Sequence, residues 1–297
     1  MGSAGVWLDV GAATIRLQSD SPDLARQIQT VYAEFPFQPA GDWADVHVQM
    51  QRPRGLRRWF RPQVRFRCDG RHPFEPFPAD SPLPFFEWGC NWMIGRRLNN
   101  LLLLHAGVVE RNGLALVMPA LPGSGKSTLT AALALRGWRL LSDEFGAYDP
   151  DAAVFRAMLK PVGLKNQSID VIRHFSADAR IGPSFPKTHK GVVAHLAPNA
   201  AAVGQRHVAA RHGAVVLPKW QAGAATHLEP LPLHMAFSAL AFNAFNYTLL
   251  GAVGFQAVAA LTTAGLAWNL VYSDLDDALA TLDGVWPSVC AHHGVGG

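Results

Sequence analysis

Apolar and polar positions along this chain fall into two rhythms. Val6 to Val10, Ala13 to Leu17, Asp45 to Met50 and Gln63 to Cys68 alternate with period two, and each predicts a strand with one covered face. In the last of these, Val64, Phe66 and Cys68 share one face while Arg65 and Arg67 share the other. Ser21-Pro22-Asp23 supplies a capping hydroxyl, a first-turn proline and an acid at the positive helix end. It predicts a helix to about Phe35 that buries Leu24, Ile28, Val31 and Tyr32. Residues 1–80 therefore read as a small N-terminal α/β module. Five prolines between Pro73 and Pro84 predict an extended linker. A helix over Phe85 to Asn99 follows, with Trp88 and Trp92 on one face, expected as packing residues.

Residues 85–297 read as a second, larger α/β unit. Leu101 to Val109 and Leu114 to Met118 are continuous apolar runs of the kind that form buried strands. Further strands are predicted at Arg139–Ser142, Val154–Leu159, Val192–Leu196, Ala214–Leu217 and Ala267–Tyr272. Pro218 places the strand Ala214–Leu217 near a sheet edge. Helices are predicted at Ser127–Leu135, stopped by Gly137, and at Ile169–Phe175. A capping-box variant, Ser273-Asp-Leu-Asp276, starts a last helix through Leu282. The span Met235 to Ser273 holds no charged residue. Asn243, Asn246, Gln256, Thr262, Thr263 and Asn269 interrupt it, so it predicts two or three buried, alanine-rich helices and no membrane span.

Candidate chemistry concentrates between Leu114 and Glu144. The segment Ala120-Leu-Pro-Gly-Ser-Gly-Lys-Ser127 fits the P-loop pattern [AG]-x-x-x-x-G-K-[ST] between a predicted strand and a predicted helix. Gly123 and Gly125 let successive N–H groups point inward, an anion nest at the positive helix end. Gly123, Ser124, Gly125, Lys126, Ser127 and Thr128 are the candidate nucleotide-binding residues. Lys126 would reach the β- and γ-phosphates and the Ser127 hydroxyl would hold Mg²⁺. The neighbouring strand ends in Asp143 and Glu144, either of which can bind the metal or take a proton from an attacking hydroxyl. The expected cofactors are ATP and Mg²⁺. The bland account is a glycine-rich turn that only imitates the motif.

The stretch His105 to Glu144 resembles the catalytic core of the HPr kinase/phosphorylase family, P-loop enzymes that phosphorylate a serine on a carrier protein. The resemblance rests on His105, fifteen positions ahead of Ala120 (120 − 105), and on the paired acids at 143 and 144. EWGCNW at Glu87, RPQVRF at Arg61, LLSDE, LKNQSID and FNYTLLG look like a divergent branch, the type A HPr-kinase-related kinases, across nearly the whole chain. It implies a P-loop kinase core of the HPr kinase type. It also implies that Asp143 is the acid/base, that His105 supports the phosphoryl-transfer site and that Glu144 is a metal ligand. Where the parent family carries an acidic contact, this chain reads Pro161-Val-Gly-Leu-Lys-Asn-Gln-Ser-Ile, so only the kinase half of that family's chemistry is carried over. The parent family forms hexamers, which leaves a homo-oligomer open here.

Bulk properties narrow the partners. A net charge of +4 suits an anionic nucleotide or peptide and makes no strong case for nucleic acid. The most basic stretch, Arg52 to Arg61, reads as a solvated hairpin loop with Trp59 folded back, or as a docking surface for an acidic peptide. Lys165 and Asn166 are possible phosphate or substrate contacts, and the loop from Lys187 through Lys190 to Gly191 is a candidate for closing over phosphates. Cys68, Cys90 and Cys290 are too scattered for a disulfide framework, and with no leader pattern visible they point to a reducing cytoplasm. The expected activity is transfer of the γ-phosphoryl group to a hydroxyl, foremost a serine of a peptide or small protein. The alternatives are a nucleotide-binding regulatory or docking module and a small-molecule hydroxyl kinase.

Overall fold

Alternation in the first eighty residues does what period two demands. In the computed structural model, which describes residues 5–39 and 43–296 apart from the Lys187 side chain, Leu8, Ile15, Leu17, Val46, Val48, Met50, Val64 and Phe66 all point into one core. They lie on β1 (Val6–Asp9), β2 (Thr14–Ser19), β4 (Val46–Gln51) and β5 (Gln63–Arg67). Together with the short β3 (Gln38–Pro39) and β6 (Phe77–Pro78) these form a six-stranded sheet ordered β3-β1-β2-β4-β5-β6. Helix α1 (Pro22–Val31) is capped by the Ser21 hydroxyl, which accepts from the Leu24 amide, and ends at Tyr32, earlier than Phe35. Between β4 and β5 the Arg52–Arg61 loop holds one short 3-10 turn, Leu56–Arg58. Trp59 is not folded back: it is 80% exposed.

The proline-rich stretch is shorter than expected, because proline is tolerated in a first helical turn. Helix α2 runs Pro82–Arg97, taking Pro82 and Pro84 into its start. It lies against β4 and β5, and Gly89 lets it approach so closely that a Cβ there would meet the Phe66 ring at 2.1 Å.

The remaining elements build a nine-stranded sheet and a three-stranded one. In chain order come β7 (Leu102–Leu104), β8 (Ala106–Arg111), β9 (Leu114–Pro119), α3 (Lys126–Leu135), β10 (Arg139–Ser142), β11 (Gly146–Asp149) and β12 (Val154–Arg156). Next are β13 (Val162–Lys165), α4 (Gln167–Phe175), β14 (Phe185–Thr188), β15 (Gly191–Leu196), α5 (Ala200–Gly204), β16 (Ala210–Trp220) and β17 (His227–Pro230). The chain finishes with α6 (Leu233–Phe242), α7 (Tyr247–Leu250), α8 (Ala252–Ala264), β18 (Leu266–Tyr272) and α9 (Leu275–His292). The large sheet runs β10-β8-β9-β16-β12-β11-β7, with β18 on β16 and β17 on β18. The small sheet is β13-β15-β14. The fold class is mixed α/β, as the sequence predicts at that level.

Four expectations for this half are corrected. The run Leu101–Val109 is two strands broken at His105, because β7 pairs with β11 while β8 pairs with β9 and β10. Strand β16 is central, lying parallel to both β9 and β18; Pro218 is tolerated because pairing with β9 has ended at Val215. Helix α9 is capped by Asp274 and continues through Pro287 to His292, well beyond Leu282. The charge-free span does form α6, α7 and α8, and no helix among the described residues is long and apolar enough to cross a membrane. These helices are only partly buried, however, with Leu233, Met235, Phe242, Leu249 and Phe255 at least half exposed.

Candidate functional site

The carboxyl ends of β9 and β10 point the same way, since each runs antiparallel to β8 between them. The two strands are not neighbours, so the Asp143 and Glu144 end sits one strand further from the glycine loop than expected. The loop itself is held by the centre of the sheet. Trp220 of β16 donates its amide to the Ser124 carbonyl at 2.8 Å, and the Tyr272 hydroxyl of β18 donates to the Gly125 carbonyl at 3.2 Å. Gly123 and Gly125 have φ of 87° and 88°, a region other residues enter at a cost. At Gly125 space forbids a side chain as well: a Cβ would lie 2.5 Å from the Tyr272 hydroxyl and 2.9 Å from the Trp220 Cβ.

Immediately after Gly125, α3 begins. Its first intrahelical bond runs from the Leu129 amide to the Gly125 carbonyl, so the Lys126, Ser127 and Thr128 amides lie in the first turn, ahead of the helical ladder. With the positive end of the helix dipole they make a site that favours an anion. Ser127 and Thr128 are half-buried there, and the Ser124 hydroxyl is buried without a partner.

Lys126 crosses the gap between the strands. Its ammonium donates to the Asp143 main-chain carbonyl and lies 3.1 Å from Asp143 Oδ1. Both residues are buried, and Asp143 Oδ2 is buried with no hydrogen-bond partner. An orphaned carboxylate oxygen beside a buried ammonium is costly unless a proton, metal or ligand completes it. His105 does not meet Asp143. Its Nε2 stands 3.6 Å from Glu144 Oε2, too far for a hydrogen bond. Burial, reinforced by Lys126, pushes the His105 imidazole below its ordinary value, so it is neutral near pH 7. Burial alone would raise the Glu144 carboxyl, but Lys126, His105, Lys160 and Lys165 together hold it below the usual carboxylate range.

Beneath these groups lies a buried polar network to whose residues the sequence assigned no role. The Tyr32 hydroxyl donates to Glu87 Oε1 at 2.6 Å, and Lys160 Nζ lies 2.9 Å from Glu87 Oε2 and also donates to the Asn91 side chain. Glu87, Asn91, Lys160 and His195 line the same cleft as Asp143 and Glu144. Pro161, Gly163 and Lys165 line it too. Asn166 is otherwise engaged: its Oδ1 accepts from the Val192 amide. His189 and Lys190 do not reach over the glycine loop; they cover Trp88, the imidazole at 4.6 Å and the ammonium at 5.2 Å from its ring. The Lys187 side chain lies outside the described residues.

Phe245 opens the FNYTLLG phrase, which carried no site assignment in the sequence. The bridge between Leu104 and Ala244, the bond from the His105 amide to the Asn243 carbonyl and the bond from the Phe245 amide to the Leu103 carbonyl fasten the 243–245 turn to β7. Phe245 is thereby set 6.0 Å from the His105 ring and 4.8 Å from the Phe145 ring. The polar break in the charge-free span at Asn243 and Asn246 marks the same turn.

Among the described residues no three His, Cys, Asp or Glu side chains form a metal-ligating group. A magnesium ion that arrives with a nucleotide takes most of its ligands from phosphate and water and needs one or two protein groups. The unpartnered Asp143 oxygen, the ionised Glu144 and the Ser127 hydroxyl are hard oxygen donors suited to that demand. The arrangement combines anion-binding amides, a buried ammonium and two carboxylates of different surroundings. No protein-family model matches this chain, and no curated protein matches it significantly.

Proposed function

We propose that this protein is a P-loop kinase that uses MgATP to phosphorylate a hydroxyl, foremost a serine of a peptide or small protein. The observation that carries the proposal is the buried Lys126–Asp143 pair, which joins the helix-start anion site to a carboxylate with one unsatisfied oxygen. The likeness of His105 to Glu144 to the HPr kinase core supports the same assignment.

In this account the Gly123 to Thr128 loop and the Lys126 ammonium hold the triphosphate and offset the charge spread over the transferred group. Asp143 accepts the proton of the acceptor hydroxyl as its oxygen forms a bond to the γ-phosphorus. The bond to the ADP oxygen breaks, and the proton stays on the carboxyl until it is lost to water. Ser127 and Glu144 would hold Mg²⁺, which supplies charge neutralisation between the phosphates. His105, neutral beside Glu144, adds no competing cation. Lys160, fixed by Glu87 and Asn91, offsets one of the carboxylates that line the cleft.

The test is incubation of the purified chain with MgATP and a serine peptide, followed by mass spectrometry of the peptide. A gain of one phosphoryl group that disappears in Asp143→Asn supports the proposal. Full transfer by Asp143→Asn removes Asp143 from the mechanism.

A further inference from the structure

Beside the carboxylate cleft lies a second cavity of about 460 Å³, large enough for one or two bulky side chains. Its walls are aromatic: Phe74, Phe77, Phe85, Trp88, Trp92 and Phe245. Trp88, Asn91, Glu144 and Phe145 border both spaces, so the aromatic cavity opens next to Glu144. No residue of the 120–128 loop lines it. The cavity therefore adjoins the carboxylate cleft without touching the helix-start anion site, a position that suits an acceptor rather than a nucleotide's tail.

The aromatic walls are rigidly placed. Phe77 stacks on Phe85 with centroids 5.2 Å apart, Trp88 meets Phe77 edge-on at 5.8 Å, and Trp92 meets Phe74 at 5.2 Å. Phe245, 59% exposed, stands at the rim. Lys190 and His189 cap Trp88 from the β14–β15 hairpin and, with Glu75, Asn91 and Glu144, supply the polar part of a lining that is otherwise apolar. Such a cage, with aromatic rings in its walls, rewards a large apolar side chain. Consecutive residues of an extended peptide are about 3.8 Å apart at Cα. Successive side chains point to opposite sides, so a side chain seated in the cage turns the adjacent residue's hydroxyl out of it, and the cage adjoins the carboxylate cleft at Glu144.

We infer that this cavity is the acceptor-specificity site and that it takes a bulky aromatic or aliphatic side chain adjacent to the serine that is phosphorylated. The inference rests on the kinase reading for its chemistry, but binding tests it separately. The probes are Ac-Gly-Phe-Ser-Phe-Gly-NH2 and Ac-Gly-Ala-Ser-Ala-Gly-NH2, each assayed for binding by calorimetry and for phosphorylation with MgATP. Wild type should prefer the phenylalanine peptide by about tenfold or more, the scale expected for burying a ring. Trp88→Ala and the rim variant Phe245→Ala should erase that preference while leaving the KM for MgATP unchanged. Far-ultraviolet circular dichroism checks that both variants fold, and Phe245→Ala, at an exposed position, serves if Trp88→Ala does not.

The possible outcomes separate the two ideas. Selective binding of the phenylalanine peptide without phosphorylation keeps the cavity assignment and rejects the kinase. Phosphorylation of both peptides with equal kcat/KM keeps the kinase and overturns the cavity assignment. A raised KM for MgATP with unchanged peptide preference makes the cavity a nucleobase site and overturns it as well. Binding of neither peptide also overturns it.

Discussion

Lys126 Nζ stands 3.1 Å from Asp143 Oδ1 inside the protein, although the two belong to a helix start and a strand end separated by an intervening strand. Removing one partner of such a buried pair strands the other charge, at a cost of about 3–5 kcal/mol. Lys126→Met is therefore expected to lower stability by about that amount. Adding Asp143→Asn should restore part of the loss by removing the uncompensated carboxylate. Urea denaturation of the two single variants and the double variant checks this; strictly additive losses would contradict the pairing.

The two glycines of the loop predict different severities. Gly123→Ala meets open space and should cost only the strain of positive φ, about 1–2 kcal/mol. Gly125→Ala adds a collision with Tyr272 and Trp220, so it should cost more and displace the loop from the sheet. Thermal melts rank the two, and equal effects would argue against the close approach at Gly125.

Asn246 is buried and uses its side chain fully. It accepts from the Leu103 amide at 3.0 Å and donates to the Leu101 carbonyl at 2.7 Å, with a longer bond to Leu98. Asn246→Ala should cost about 2–4 kcal/mol by leaving these backbone groups unpaired. Because the same turn places Phe245, the variant should also weaken acceptor binding. Asn246→Asp should not rescue it, since an ionised carboxylate donates no hydrogen bond. Calorimetric melts of both variants provide the check.

How much of this was legible beforehand differs by element. The strand, loop and helix from Leu114 to Leu135 follow from local signals: an apolar run, two glycines and a helical apolar pattern. The boundaries of β10 at Arg139 and Ser142 are equally local. The break at His105 was not legible, because it arises where one strand hands its pairing from β11 to β9 and β10. The central place of β16 was obscured by Pro218, whose missing donor matters only on the side where β9 has already ended. Lys160, Glu87 and Phe245 come from three distant stretches, and their convergence is a property of packing that no spacing announces.

Acid should destabilise the fold through its buried histidines. His212 is buried with neither ring nitrogen hydrogen-bonded, and that burial, with His293 nearby, pushes its imidazole down to about 4. The unfolded chain takes up this proton from about pH 6.5 downward, while the folded protein refuses it until about pH 4. Stability is thus fully retained above that window and falls through it, by up to about 3 kcal/mol for this residue. His105 and His195 are shifted in the same direction and add to the slope. His212→Leu should flatten, not abolish, the loss of stability between pH 6.5 and 4. An unchanged slope in denaturation curves across that range would remove His212 from the account.

The most direct measurement is calorimetric titration of MgATP into the wild-type chain and into Lys126→Met, with folding of the variant verified alongside. The nest of loop amides and its buried ammonium predict saturable one-to-one binding in the wild type and a loss of about a hundredfold or more in the variant. No binding by the folded wild type, or equal affinity in the two proteins, would contradict the central claim.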